Sequence, residues 1–237
     1  MMNNQQLSEL ESIIQASFID KQIIINAFVH RSYLNENRNF ELPSNERLEF
    51  LGDACLELIV SEYLFKTFPS EPEGILTSYR GALVNTDSLA ESAQKLKLGK
   101  FLLLSHGEEE GGGRDSNYLL ANTFEAVIGA IYLDLGFNQA ERFVFQNIIN
   151  KLDAIIKDGS FKDPKSKLQE KTQETYGVTP SYFVISEFGP DHDKEFEVSC
   201  QLRNTQIGTG KGSSKQKAEL NAASNALNLW NTWSLKM

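Results

Sequence analysis

Near Asp158 the hydrophobic period of this 237-residue chain changes, and that change limits what the chain can fold into. Up to Lys157, apolar residues recur at three- and four-residue spacing through 7–18, 23–29, 48–65, 76–96, 119–133 and 140–156. That spacing predicts helices throughout. Asp158-Gly159-Ser160, with Pro164 just after, reads as a linker. Residues 165–176 then fit a helix. Segments 180–187 and 195–202 alternate, the second with Phe196, Val198, Cys200 and Leu202 on one face. Gly189-Pro190-Asp191 marks the turn between them, and a short third strand is expected near 206–208. Ser213 or Ser214 can cap a last helix whose inner face is Ala218, Ala222, Ala226 and Leu229. The expected architecture is an all-α domain over 1–157, a linker at 158–162, and a small α+β domain (α-β-β-β-α) over 163–233.

Charge divides at the same place. The net formal charge is −9, but residues 1–160 hold 23 acids against 13 Lys and Arg, while 161–237 hold 9 against 10. A strongly acidic module joined to a near-neutral, locally basic one suggests two different tasks. No apolar run approaches the ~18 residues of a membrane span, so no membrane partner is expected. The polar start, Met1 to Gln6, lacks the features of a signal peptide. Cys55 and Cys200 lie far apart in apolar settings, which fits a reducing cytoplasm.

The acids have a pattern. In Asn45-Glu46-Arg47-Leu48-Glu49-Phe50-Leu51-Gly52-Asp53-Ala54-Cys55-Leu56, Glu46, Glu49 and Asp53 fall within ~60° of one another on a helix. The rest of the segment is mostly apolar, so the helix reads as otherwise buried. Glu57 falls on the same acidic face, and Arg47 lies on another. Crowded carboxylates repel and resist desolvation, so something positive should neutralise them. A second cluster, Asn122 and Glu125, sits one turn apart in Leu120-Ala121-Asn122-Thr123-Phe124-Glu125-Ala126-Val127-Ile128-Gly129-Ala130. Two such helices facing each other would line a pocket with oxygen atoms, the surroundings Mg²⁺ prefers, with Mn²⁺ able to substitute. No other catalytic arrangement competes. His30, His106 and His192 are scattered, and Gly111-Gly112-Gly113 lacks the Lys-Ser/Thr of a phosphate loop and reads as a turn, so no organic cofactor is expected.

Residues 45–56 resemble the hallmark motif of the ribonuclease III family. His30-Arg31-Ser32, Glu73-Gly74 with Arg80, Gly112-Gly113-Arg114 and 120–130 follow in the family's order and spacing. The resemblance implies an all-α ribonuclease III nuclease domain, Mg²⁺-dependent hydrolysis of double-stranded RNA, short 3′ overhangs and a homodimer. A homodimer also suits the chemistry, because one acidic pocket per chain leaves two for two strands. By resemblance, Glu49, Asp53 and Glu125 bind the metal, and Asp53 and Glu125 are catalytic. Glu46 and Glu73 match acids nearer the substrate or partner, and His30 and Arg80 positions that are structural or close to RNA. Asn122 departs from the usual Asp: its amide oxygen can still coordinate a metal, with one negative charge fewer. The alternative it raises is a catalytically weakened RNA-binding protein on the same fold. Structured transcripts such as ribosomal RNA precursors are the family's expected substrates.

Residues 165–230 resemble a double-stranded RNA-binding domain. Lys215 and Lys217 sit in the first turn of the last helix, where the macrodipole disfavours cations, so a phosphate clamp with Lys211 gives them a use. By resemblance, Gln169, Glu170 and Gln173 touch one minor groove and His192 the next. Gln216 stands where many relatives have a basic residue.

Overall fold

The computed structural model describes residues 2–190 and 194–234. It divides into two compact units, 1–161 and 162–237. The first is helical: α1 (Asn4–Ile14), α2 (Lys21–Asn26), α3 (Arg31–Glu36), α4 (Glu46–Thr67), α5 (Glu73–Val84), α6 (Thr86–Lys95), α7 (His106–Glu110), α8 (Asn117–Leu135), α9 (Phe137–Asn147) and α10 (Leu152–Asp158). The second contains α11 (Pro164–Tyr176), β1 (Ser181–Phe188), β2 (Glu195–Leu202), β3 (Thr205–Gly212), α12 (Lys215–Asn228) and α13 (Trp230–Trp233).

Helix α8 is the centre of the first unit, with Phe124, Ile128 and Ile131 fully enclosed. It is long and apolar enough to cross a membrane, contrary to the expectation that no stretch comes close, but most of it is packed inside this unit. Two segments read as continuous helices are broken. Asn85 separates α5 from α6, because its Nδ2 donates to the last carbonyls of one (Gly81 and Ala82) while its Oδ1 accepts from the Ser88 amide of the other. A single residue therefore caps both ends. The second break is at Ile148, whose backbone leaves the helical region between α9 and α10.

In the second unit the strands form an antiparallel sheet in the order β1-β2-β3, with a bulge between Val184 and Ser186. Strand β3 runs to Gly212, further than its expected end at 208, because Gly208, Gly210 and Gly212 press against α12. A Cβ on Gly210 would lie 2.1 Å from the Ala222 amide nitrogen. Glycines on one side and Ala218, Ala222 and Ala226 on the other let helix and strand meet backbone to backbone. Ser214 caps α12, accepting from the Lys217 amide.

Candidate active site and RNA-binding face

The position of the acids follows from one helix crossing. Where α4 and α8 pass, each contributes a glycine: a Cβ on Gly52 would lie 1.8 Å from the Glu125 carbonyl oxygen, and one on Gly129 would lie 2.2 Å from that of Leu48. Only glycines permit backbones this close. Glu49 and Asp53, flanking Gly52 on α4, are thereby set against Glu125 on α8. The start of α4 is also fixed: Asn45 is buried, donates from Nδ2 to the Ala27 carbonyl, and donates from its amide to that of Val29.

Crowding shows in the acid strengths. Burial, then the charges of Asp53, Glu49 and Glu57, push the Glu125 carboxyl up to about 7. Burial, then Glu46 and Asp53, raise Glu49. Other acids nearby have cations. Glu57 is 2.9 Å from Arg80, and Glu46 is 3.6 Å from Arg31. Among the described residues Glu49, Asp53, Glu125 and Asn122 have no ion pair or side-chain hydrogen bond. They supply only hard oxygen donors and excess negative charge, a set that fits a hard divalent cation. No three His, Cys, Asp or Glu side chains among the described residues converge on one point. Closing on an ion takes rotamer changes, which the length of Glu49 and Glu125 allows.

Glu46, Glu49 and Asn122 also line a cavity of about 400 Å³, together with His30, Arg31, Glu108 and Tyr118. His30 is the N-cap of α3, and burial lowers its pKa despite the opposing charge of Glu108. Glu73 is elsewhere. It lies beside Leu58, Phe65, Leu76 and Arg80 along a groove between α4 and α5, and accepts from the Thr77 hydroxyl. The reading of α4 as otherwise buried is corrected here, because Phe50, Leu58 and Phe65 are 80%, 57% and 74% exposed.

In the second unit Gln169, Glu170 and Gln173 are exposed on α11, with Glu170 paired to Lys162. Lys211, Lys215 and Lys217 are exposed around the start of α12. Lys215 is engaged locally, 3.2 Å from Glu187 and over the Phe196 ring. Lys211 and Lys217 have no ion pair among the described residues. His192 lies outside the described residues.

Residues 20–152 match the family model described as ribonuclease-III-like, and residues 164–229 match the double-stranded RNA binding motif. The chain belongs to the ribonuclease III family. Ribonuclease 3 of Nitratiruptor sp. is 45% identical over 225 residues, covering 95% of this chain and 97% of the relative. That of Enterococcus faecalis is 44% identical over 229 residues, covering 95% and 98%. A crystal structure of the ribonuclease III nuclease domain from Campylobacter jejuni superposes with a TM-score of 0.55 at 42% identity, covering 62% of this chain and 93% of that one. As a ribonuclease III with an RNA-binding unit, the chain is an endoribonuclease of double-stranded RNA, in a family that is generally metal-dependent.

Within this ribonuclease III, sequence reasoning missed Glu108 and the anchoring role of Asn45. Glu108-Glu109-Glu110 looks like an ordinary solvated run, and only the packing of α7 beside α3 brings Glu108 to the cavity.

Proposed function

We propose that this ribonuclease III hydrolyses phosphodiester bonds of double-stranded RNA with Mg²⁺, or Mn²⁺ in its place, leaves short 3′ overhangs, and processes ribosomal RNA and other structured precursors as a cytoplasmic homodimer. The nuclease domain would occupy 1–157 and the RNA-binding domain 163–233, joined by 158–162. Glu49, Asp53, Asn122 and Glu125 would hold the cation, with Asp53 and Glu125 catalytic and Glu46 and Glu73 secondary. The observation that carries this reading is the Gly52–Gly129 crossing, which sets unpaired carboxylates of two helices against one another. A bound divalent cation supplies positive charge to neutralise them and to offset charge growing on the scissile phosphate. The side chains orient it, and the apolar surroundings of Glu125 keep competing water away.

The dimer reading rests on α4. Phe50, Ala54, Leu58 and Phe65 are exposed within ~80° of one another, a stripe that a second copy can cover isologously. A Campylobacter jejuni nuclease-domain structure, 42% identical, is described by its region involved in dimer formation. Glu73, in the groove beside that stripe, would then serve the partner's site. On the RNA-binding domain Gln169, Glu170, Gln173 and His192 would meet the minor grooves, and Lys211, Lys215 and Lys217 the phosphates between them. Incubating the protein with a long RNA duplex and Mg²⁺ tests the proposal. Short products bearing 3′ overhangs, absent with EDTA or in Glu125→Gln, support it; intact duplex at every Mg²⁺ concentration refutes it.

A further inference from the structure

One ring nitrogen of His30 is fully assigned by its neighbours. The Ser32 amide donates to His30 Nδ1 at 3.3 Å, so Nδ1 is an acceptor and carries no proton. The Ser32 hydroxyl lies 2.7 Å from the same nitrogen and itself accepts from the Ser105 amide at 3.0 Å, which leaves its own hydrogen to point at Nδ1. The proton of the neutral ring is therefore on Nε2. Among the described residues Nε2 has no hydrogen-bond partner, and the ring lines the cavity shared with Glu46, Glu49, Glu108 and Asn122. The Glu108 carboxylate is likewise without an ion pair among the described residues.

In this cavity His30 Nε2–H is a fixed neutral donor and Glu108 an acceptor without a cation of its own among the described residues, while the guanidinium of Arg31 is turned to Glu46 at 3.6 Å. A phosphate oxygen placed between His30 and Glu108 would be repelled by the unpaired Glu108 carboxylate. A hydroxyl satisfies both kinds of neighbour at once, accepting from an N–H and donating to a carboxylate. In a nucleic-acid duplex the group with that dual character is the ribose 2′-hydroxyl, which distinguishes RNA from DNA. We propose that His30 and Glu108 receive a 2′-hydroxyl of the strand being cut, so that the nuclease domain, and not only the RNA-binding domain, checks for ribose. His30 is then a specificity-determining residue whose Nε2–H is held in place by Ser32 and Ser105. The inference rests on the function proposed above.

The test separates capping from recognition. Asn is a strong N-cap, so His30→Asn keeps an acceptor for the start of α3 and deletes the Nε2 donor. Single-turnover cleavage at saturating enzyme is measured on duplexes carrying one 2′-deoxy substitution at each position near the scissile bond. In the wild type, one position is expected to slow cleavage about three- to tenfold. In His30→Asn, all-ribose duplex is expected to be cut slower by a similar factor, with no further loss from the deoxy substitution and unchanged duplex affinity. Wild-type rate in His30→Asn, or a deoxy penalty that persists in it, overturns the proposal. If the variant is unstable, the wild-type scan still decides, since no sensitive position there also overturns it. Failure of the wild type to cut any duplex would instead sink the nuclease reading.

Discussion

Gly52→Ala tests the crossing on which the active-site geometry depends. The added Cβ would lie 1.8 Å from the Glu125 carbonyl oxygen, 2.6 Å from its carbon and 2.9 Å from the Gly129 nitrogen. All three are backbone atoms, so no side-chain rotation relieves the clash. Reaching ordinary contact requires α4 and α8 to part by about 1.6 Å at that point. Overpacking of this kind costs about 1–3 kcal/mol. For a unit of this size that lowers the melting temperature by about 2–12 °C. Because the same shift draws Asp53 and Glu49 away from Glu125, cleavage should fall by about 100-fold in the fraction that remains folded. Gly81→Ala is the control: nothing lies within 4 Å of the added atom, and removing a glycine from α5 should be neutral or stabilising by up to about 1 kcal/mol. Thermal melting and single-turnover cleavage of both variants decide the matter. A Gly52→Ala protein with wild-type stability and rate would mean that this crossing does not position the acids.

Other expectations follow from the same geometry. Asn122→Asp restores a negative charge beside Glu49, so half-maximal cleavage should need several-fold less Mg²⁺; an unchanged requirement would count against Asn122 as a ligand. Glu125, raised to about 7, is penalised when ionised. Its cost to the metal-free fold is absent below the ordinary carboxylate range and grows as pH rises through 7, so Glu125→Gln should raise the melting temperature more at pH 8 than at pH 5. Equal shifts at both values would show that Glu125 is not strained by its neighbours. In the RNA-binding domain, Lys217→Ala should weaken duplex binding and reduce the salt slope by about 1, whereas Lys215→Ala should do less because Glu187 already holds Lys215. Salt-series binding curves measure both; equal effects would mean that the Glu187 pairing gives way to RNA.

Local pattern made most of the fold legible. The change from helical to alternating spacing beyond Asp158 gave the order of elements in the second unit, and a serine cap at 213 or 214 with the Ala218–Ala222–Ala226 face placed α12, although Leu229, expected on that face, is the exposed C-cap of the helix. The sequence pattern also drew out Glu46, Glu49, Asp53 and Glu57 on one helix and Asn122 and Glu125 on another, because polar groups in apolar helices stand out in one dimension; spacing left the ligands among them open, and the family resemblance narrowed the set. What stayed hidden depends on contacts between distant residues. Asn85 breaks a periodic stretch only because its side chain bonds both helix ends. Phe50, Leu58 and Phe65 are apolar and look like core, yet no described element of the first unit buries them. Gly52 and Gly129 read as ordinary helix glycines until the two helices are superposed. The Ser105–Ser32–His30 relay spans 73 residues between its first two members and has no local signature.

A divalent cation shared by the oxygen donors of α4 and α8 should be visible in a calorimetric titration of the metal-free protein with Mn²⁺. We expect tight binding in the wild type that is lost in Asp53→Asn and Glu125→Gln and weakened in Glu49→Gln, with Glu73→Gln unaffected in the absence of RNA. Undiminished Mn²⁺ binding in Asp53→Asn and Glu125→Gln would mean that the two helices do not share an ion.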